Sequence, residues 1–251
     1  MRKTSKRKTV RNIILIFIAA IVLLCTVIVG MCLFNSRPAV QTVATYQNSF
    51  SNVTINVQDD GGVEIMPKNS NAYTGIIFYV GAQIRPDAYI PLLSRLSEQG
   101  FSCFIPNLSF NMAALEPKAA ETVISMHPEI KSWYLAGHSM GGLTASGFAA
   151  DYPEKVCGLI MLAAYTNRDL SDSELSVLSI FGDTDGVMNK ALYDERKDWY
   201  PDDFEEYIIE GANHAQYGDY GEQPRDNEAL ISAESQQKQT ADIMLKWLEE
   251  R

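Results

Sequence analysis

The chain has 251 residues, 46% of them hydrophobic, enough to bury a full core in one α/β domain with an appendage. Its formal net charge of -10 conceals a split: residues 1–37 carry seven Lys and Arg and no acid, leaving 14 basic residues against 31 acidic ones in the remainder. A body that acidic excludes nucleic acid as a partner, and excludes anionic substrates gathered by long-range attraction.

At the N-terminus, Arg2, Lys3, Lys6, Arg7, Lys8 and Arg11 lead into an uncharged run over 13–34, 22 residues that as a helix would reach across a bilayer core of about 30 Å. Residues 1–12 therefore read as a basic cytoplasmic tail and 13–34 as a single transmembrane anchor. The positive flank would keep the N-terminus inside and the body outside the cell membrane. Secretion after signal cleavage is the alternative, but the apolar core of a signal peptide is usually only ~7–15 residues. Residues 35–50 turn to Ser, Asn, Gln and Thr without apolar periodicity, the composition of a linker. The folded body is then 51–251. Cys103 and Cys157 each fall in an apolar run, which suggests buried thiols without a disulfide, and no Cys/His cluster suggests a metal.

Within the body, 53–57 alternates like a half-buried strand, Asp59-Asp60-Gly61-Gly62 is a turn, and 63–66 pairs back as a hairpin. Beyond Tyr73 strands and helices alternate. Strands are predicted at 75–80, 101–106, 133–136, 156–162, 176–181 and 204–209, with helices at 87–99, 118–126, 143–150, 190–197 and 233–249. The total is eight strands, mostly parallel, with helices between them, the pattern of an open α/β sheet. Only about a dozen residues separate the strand ending at Leu162 from the one starting near Ser176, too few for a large cap.

Between the strand at 133–136 and the helix at 143–150 stands Gly137-His138-Ser139-Met140-Gly141-Gly142, which fits G-x-S-x-G in the strand-to-helix context that gives this motif meaning. A turn that tight leaves no room for side chains two positions either side of its centre, and Gly137 and Gly141 supply that room. Ser139 is thus the candidate nucleophile. The N–H of Met140, at the start of the helix, is a candidate donor to a developing oxyanion. The second donor should come from Gly81-Ala82-Gln83, with Ala82 N–H preferred and Gln83 the alternate.

A serine hydroxyl needs a base to take its proton, and the base needs an acid to orient it. His127 precedes the serine, and His138 sits in the elbow, unable to curl back to it. That leaves His214, in the loop Gly211-Ala212-Asn213-His214 after a predicted strand. The acid should follow the strand ending at Phe181, where Gly182-Asp183-Thr184-Asp185-Gly186 offers two carboxylates. Asp185 is preferred, because the later residue can reach out of the turn while Asp183 more readily caps it. The segment fails as a calcium loop, since Gly186 stands at the fourth position and not the sixth.

The elbow, the Gly-Asp-Thr-Asp segment and the Gly-Ala-Asn-His loop resemble the α/β-hydrolase superfamily, particularly its small cap-less members related to dienelactone hydrolases and bacterial carboxylesterases. The similarity runs from about Tyr73 to Leu248. Phe78-Tyr79-Val80-Gly81 with Ala88-Tyr89 and Pro91-Leu92 is similar to the tyrosine-containing segment of a bacterial subfamily. So is 214–221 with the downstream Gln236-Gln237, and the resemblance implies that this loop packs around the histidine. Dienelactone hydrolases proper use a cysteine nucleophile, so Ser139 shifts the expectation from that lactone to general esters. The expected protein is an α/β-hydrolase fold with helices on both faces of its sheet, no large cap, and one N-terminal transmembrane helix. Its expected activity is that of a membrane-anchored serine hydrolase cleaving small carboxylic esters through an acyl-enzyme, with Ser139, Asp185 and His214 as triad and no cofactor. An acyltransferase using the same triad, or a catalytically idle scaffold that binds a partner, are the alternatives.

Overall fold

The structure is a computed structural model that describes residues 2–34, 36–69 and 73–251. It divides into two units, Met1–Ser36 and Arg37–Arg251. The first is a helix, α1 (Arg2–Phe34). Among the described residues no helix is long and apolar enough to cross a membrane, which overturns the expected single-pass anchor, its outward-facing catalytic domain and the membrane as a partner. The apolar stretch whose side chains are described covers 13–27, about 22 Å of helix against a bilayer core of about 30 Å. The side chains of Ile28, Val29 and 31–34 lie outside the described set, as do Met1 and Asn35 at the edges of the expected tail and linker.

The second unit begins where a bare linker was expected. Arg37 pairs in parallel with Ile84, its N–H donating to Gln83 O at 2.7 Å and its carbonyl accepting from Arg85 N at 2.9 Å. Val40 N–H donates to Asp219 O at 2.8 Å. Helix α2 (Val43–Ser49) follows, capped by the Thr42 hydroxyl, and buries Tyr46, whose phenol hydrogen-bonds the Asp219 carboxylate. Backbone hydrogen bonds, the Gln47 amide on the backbone of Val53 and Ile55, and two buried aromatics, Tyr46 and Phe50, hold this segment, and such scattered anchors leave no apolar period in the sequence.

Among the described residues eight strands form one sheet: β1 (Val53–Val57), β2 (Val63–Pro67), β3 (Thr74–Tyr79), β4 (Ser102–Ile105), β5 (Ser132–His138), β6 (Gly158–Leu162), β7 (Ser176–Gly182) and β8 (Phe204–Ile209). Their spatial order is β1-β2-β4-β3-β5-β6-β7-β8, antiparallel from β1 to β4 and parallel from there on. The helices are α3 (Ile90–Ser97), α4 (Ala119–Met126), α5 (Met140–Asp151), α6 (Lys190–Glu195) and α7 (Ala233–Glu249). The chain steps one way along the sheet from β3 to β4 and the other way from β4 across to β5, β6, β7 and β8. Because parallel crossovers are right-handed, α3 must lie on one face and α4 and α5 on the other. That direction reverses at the C-terminal ends of β3 and β5, and it is outside such a switch point that the crevice of an open α/β sheet binds its ligand.

β3 and β5 are buried along nearly their whole length, with Ile76, Ile77, Phe78, Tyr79, Leu135 and Ala136 fully enclosed, so the crevice rests on the rigid centre of the core. The helix expected over 87–99 splits into a tight turn, Pro86–Tyr89, and α3, because Pro91 has no N–H to carry an α-helical bond back across the junction. Cys103 is buried as expected, but Cys157 is exposed, since it precedes β6 instead of lying within it.

Candidate active site

Ser139 joins β5 to α5 with φ 54° and ψ -120°, a conformation that costs a non-glycine residue energy and that the surrounding structure must impose. Its N–H is held by Leu162 O at 2.9 Å. The imposition is steric. A Cβ on Gly137 would fall 2.5 Å from the carbonyl carbon of Gly141, and one on Gly141 would overlap the Tyr79 carbonyl. The first turn of α5 therefore packs backbone against backbone on β3 and β5, with no side chain between. Met140 is the first residue of that helix, where N–H groups have no intrahelical acceptor and the helix dipole favours negative charge.

Across the crevice, Gly81, Ala82 and Gln83 present three consecutive amides in the loop after β3. Gly81 N–H donates to Tyr89 Oη at 3.0 Å and Gln83 N–H to Asn111 O at 2.8 Å. The Ala82 N–H bonds to no described residue, which leaves it, and not Gln83, free to meet a ligand. Gly81 could not be larger, because a Cβ there would sit 2.9 Å from His138 Nδ1 and 3.0 Å from Tyr89 Oη.

The two carboxylates after β7 have separate partners. Asp183 Oδ1 accepts from Gly211 N at 2.7 Å and its carbonyl from Lys190 Nζ at 2.7 Å. Asp185 is buried, and its Oδ1 accepts from the N–H groups of Val187 (2.7 Å) and Met188 (2.8 Å) while its Oδ2 lies 2.8 Å from His214 Nδ1. Burial alone would raise the Asp185 pKa, but the hydrogen bond and charge of His214, with the two backbone donors, hold it below the ordinary carboxylate value. An ionised Asp185 accepts only, so Nδ1 of His214 carries a proton, and in the neutral ring the free lone pair is on Nε2.

His214 is 1% exposed, and its Nε2 makes no hydrogen bond within the described residues, Ser139 included. Its ring stands 4.6 Å, centroid to centroid, from that of His138, the residue before the serine. The loop that carries it is tied on several sides. Asn213 N–H donates to Gln236 Oε1 (3.0 Å), Gln236 Nε2 returns a bond to Asn213 O (2.8 Å), and Asn213 Nδ2 reaches Asn227 O (2.9 Å). Asp226 bridges the acid and base loops, accepting from Gly186 N at 3.0 Å and from Ala215 N at 2.8 Å.

The other two histidines are elsewhere or turned away. His127 lies 3.1 Å from Glu129 and 3.6 Å from Glu64 with its ring on Phe104, beside a cavity of about 250 Å³ that includes no elbow residue. His138 is fully buried, its Nδ1 is 2.9 Å from Tyr89 Oη, and its Nε2 makes no hydrogen bond of good geometry within the described residues. Burial, and then the charge of His214, push its pKa well below the ordinary histidine value, against an opposing contact with the His214 backbone. Among the described residues no group of three or more His, Cys, Asp or Glu could hold a metal ion. No sequence signal marks Asp226, and Tyr89 and Gln236 stand out only through the family resemblance.

The connection from β6 to β7 contains no helix and is fastened down: Leu170 N–H donates to Trp199 O (2.7 Å), Thr166 N–H to Tyr200 Oη (3.2 Å), and Arg196 reaches Thr166 O (2.7 Å). It forms no cap over the crevice.

Residues 75–238 match the family model of the alpha/beta hydrolase family, and the chain belongs to that family. Hydrolysis is the reaction class that goes with membership. No curated protein matches the chain by sequence. Among solved structures it is similar to Est1E from Butyrivibrio proteoclasticus, at 15% identity over 79% of this chain and 99% of that one, with a TM-score of 0.55. It is likewise similar to MGS-MChE2, an alpha/beta hydrolase enzyme from the metagenome of sediments from the lagoon of Mar Chica, Morocco (14%, 79% and 99%, TM-score 0.59). A predicted CIB-like hydrolase from Thermoplasma acidophilum also aligns (17%, 76% and 98%, TM-score 0.55). At these identities the likeness is one of fold.

Proposed function

We propose that the protein is a serine hydrolase that cleaves small carboxylic esters through an acyl-enzyme. The observation that carries this reading is the buried Asp185–His214 pair, 2.8 Å between Oδ2 and Nδ1, whose imidazole lies 4.6 Å from the ring of His138, the residue before a serine held at φ 54°. Ser139 Oγ attacks the ester carbonyl while His214 Nε2 takes its proton, and Asp185 steadies the imidazolium that results. The N–H groups of Met140 and Ala82 receive the negative oxygen of the tetrahedral intermediate. His214 then returns the proton to the departing alcohol, and water repeats the sequence on the acyl group. Catalytic hydrogen bonds are often open without substrate, so the contact between Ser139 and His214 is expected to close on binding. The uncapped crevice suits a small ester or the accessible end of a larger one.

A fluorophosphonate probe should label the wild type on Ser139 and leave Ser139→Ala unmarked, with hydrolysis of a p-nitrophenyl ester falling about 10⁴-fold or more in the variant. A folded wild type that ignores the probe, under conditions where a known serine esterase reacts, would overturn the reading.

A further inference from the structure

Two buried histidines stand ring to ring, 4.6 Å apart, one of them the residue before Ser139, and chemistry by a single base requires that only one of them accept a proton. The hydrogen bonds around His138 settle which. Gly81 N–H can only donate, so across its 3.0 Å contact Tyr89 Oη is the acceptor. Tyr89 is fully buried, and loss of solvent drives its pKa far above the ordinary tyrosine value, so the phenol keeps its proton. Among the described residues that proton has one partner, His138 Nδ1 at 2.9 Å. Nδ1 must therefore be bare, and the neutral ring carries its hydrogen on Nε2.

We propose that Tyr89 and His138 are positioning residues: the Tyr89 phenol occupies the only lone pair of His138, holding it as the neutral Nε2–H tautomer and leaving His214 as the sole base beside Ser139. The same phenol ties the loop that bears Ala82 to the end of β5, so one hydroxyl sets the oxyanion loop, the elbow strand and the identity of the base. This rests on the serine hydrolase reading for its catalytic consequence, but the tautomer follows from the hydrogen bonds of a buried phenol and is independent of that reading.

The surroundings of His138 are consistent with a ring that never charges. Tyr89 faces it from the turn before α3, Gly81 from the loop after β3, and His214 and Tyr217 from the segment after β8, with the Tyr217 ring 5.5 Å away. Burial, then the charges of Asp185 and Asp226, raise Tyr217 well above its usual value, so it too stays neutral. Asp185 is spent on His214, and among the described residues no carboxylate forms an ion pair with His138. An uncharged neighbour leaves the imidazolium that forms on His214 during the reaction unopposed.

The test is long-range ¹⁵N–¹H correlation NMR on the full-length, histidine-labelled protein, with His138 assigned by its loss in His138→Asn. His138 should show the Nε2–H pattern alone from about pH 5.5 to 9, across the range where a free histidine titrates. An Nδ1–H pattern, or a doubly protonated ring in that range, overturns the proposal whatever the enzyme does to esters. In Tyr89→Phe the pattern should become mixed or pH-dependent, and kcat should fall about 10- to 100-fold with KM within about two-fold. A fall in kcat with the His138 pattern unchanged would reduce Tyr89 to packing and overturn the lock. His138→Asn, whose Oδ1 can still accept from Tyr89, should be at least about ten-fold more active than His138→Leu at equal folded content, and equal activities would overturn it as well.

Discussion

The two sides of the crevice are held by different physics. On the nucleophile side, Gly137 and Gly141 let α5 lie directly on β3 and β5, and what fixes Ser139 is the absence of space for anything else. On the base side, His214 and Asp185 ride on loops, fixed by hydrogen bonds to Asn213, Asp226, Gln236 and the amides of Val187 and Met188. Steric fixing fails abruptly, because a single methyl group has nowhere to go, whereas a hydrogen-bonded loop loses its bonds one at a time.

Gly141→Ala should test the steric side hardest. Its methyl would overlap the Tyr79 carbonyl in the most buried part of the sheet, where the backbone cannot yield. The expected result is a loss of several kcal/mol, comparable to the worst core substitutions, seen as a collapse of soluble yield and thermal midpoint together with activity. A well-folded, active Gly141→Ala would show that the elbow has slack and would dissolve the contrast.

Asp185→Asn probes the hydrogen-bonded side. Its Oδ1 can keep the amides of Val187 and Met188, so the fold should survive with little change in thermal midpoint. Its Nδ2 would face His214 Nδ1 and force that atom to accept, which puts the proton on Nε2 where it cannot help Ser139. Hydrolysis should fall about 10⁴-fold at neutral pH. Asp183→Asn keeps an acceptor for Gly211 and should lose far less, and equal losses from the two would show that the acid assignment is wrong.

The smallest effect is on stability against pH. The folded-state pKa of His138 lies well below the unfolded value near 6.5. Below about pH 6.5 the unfolded chain takes up a proton that the folded one refuses, so stability falls as pH drops, by at most about 1.4 kcal/mol per pH unit for that one proton. Asp185, also depressed, adds its loss only below its unfolded value near 3.8. Urea midpoints should therefore decline between about pH 6.5 and 5 more steeply in the wild type than in His138→Asn. Matching slopes would mean that the buried ring accepts its proton while folded.

The same contrast explains what the sequence could say. The elbow is readable because a steric demand is written in one letter, glycine, at fixed offsets from the serine. The parallel sheet is readable because strands such as 75–80 and 133–136, buried on both faces, are almost continuously apolar. Partners on the base side are not readable, since Asp226 reaches Gly186 across 40 positions and Asn213 meets Gln236 across 23, separations that no local pattern encodes. Polar residues that hydrogen-bond at a distance look like any solvated loop, which is also why 37–50 read as a linker. The opposite error holds for 13–34, where an uncharged run reads as a membrane span and no helix among the described residues qualifies.

The stretch at 37–50 has a practical consequence for anyone shortening the gene. A version starting at Ser51, the border that composition suggests, would strip the partner from Gln83 O and Arg85 N after β3, and from Asp219 O, whose own N–H bonds Ala88 O beside them. Starting at or before Arg37 keeps these bonds. The scaffold of the crevice begins, in effect, well ahead of the first motif that advertises it.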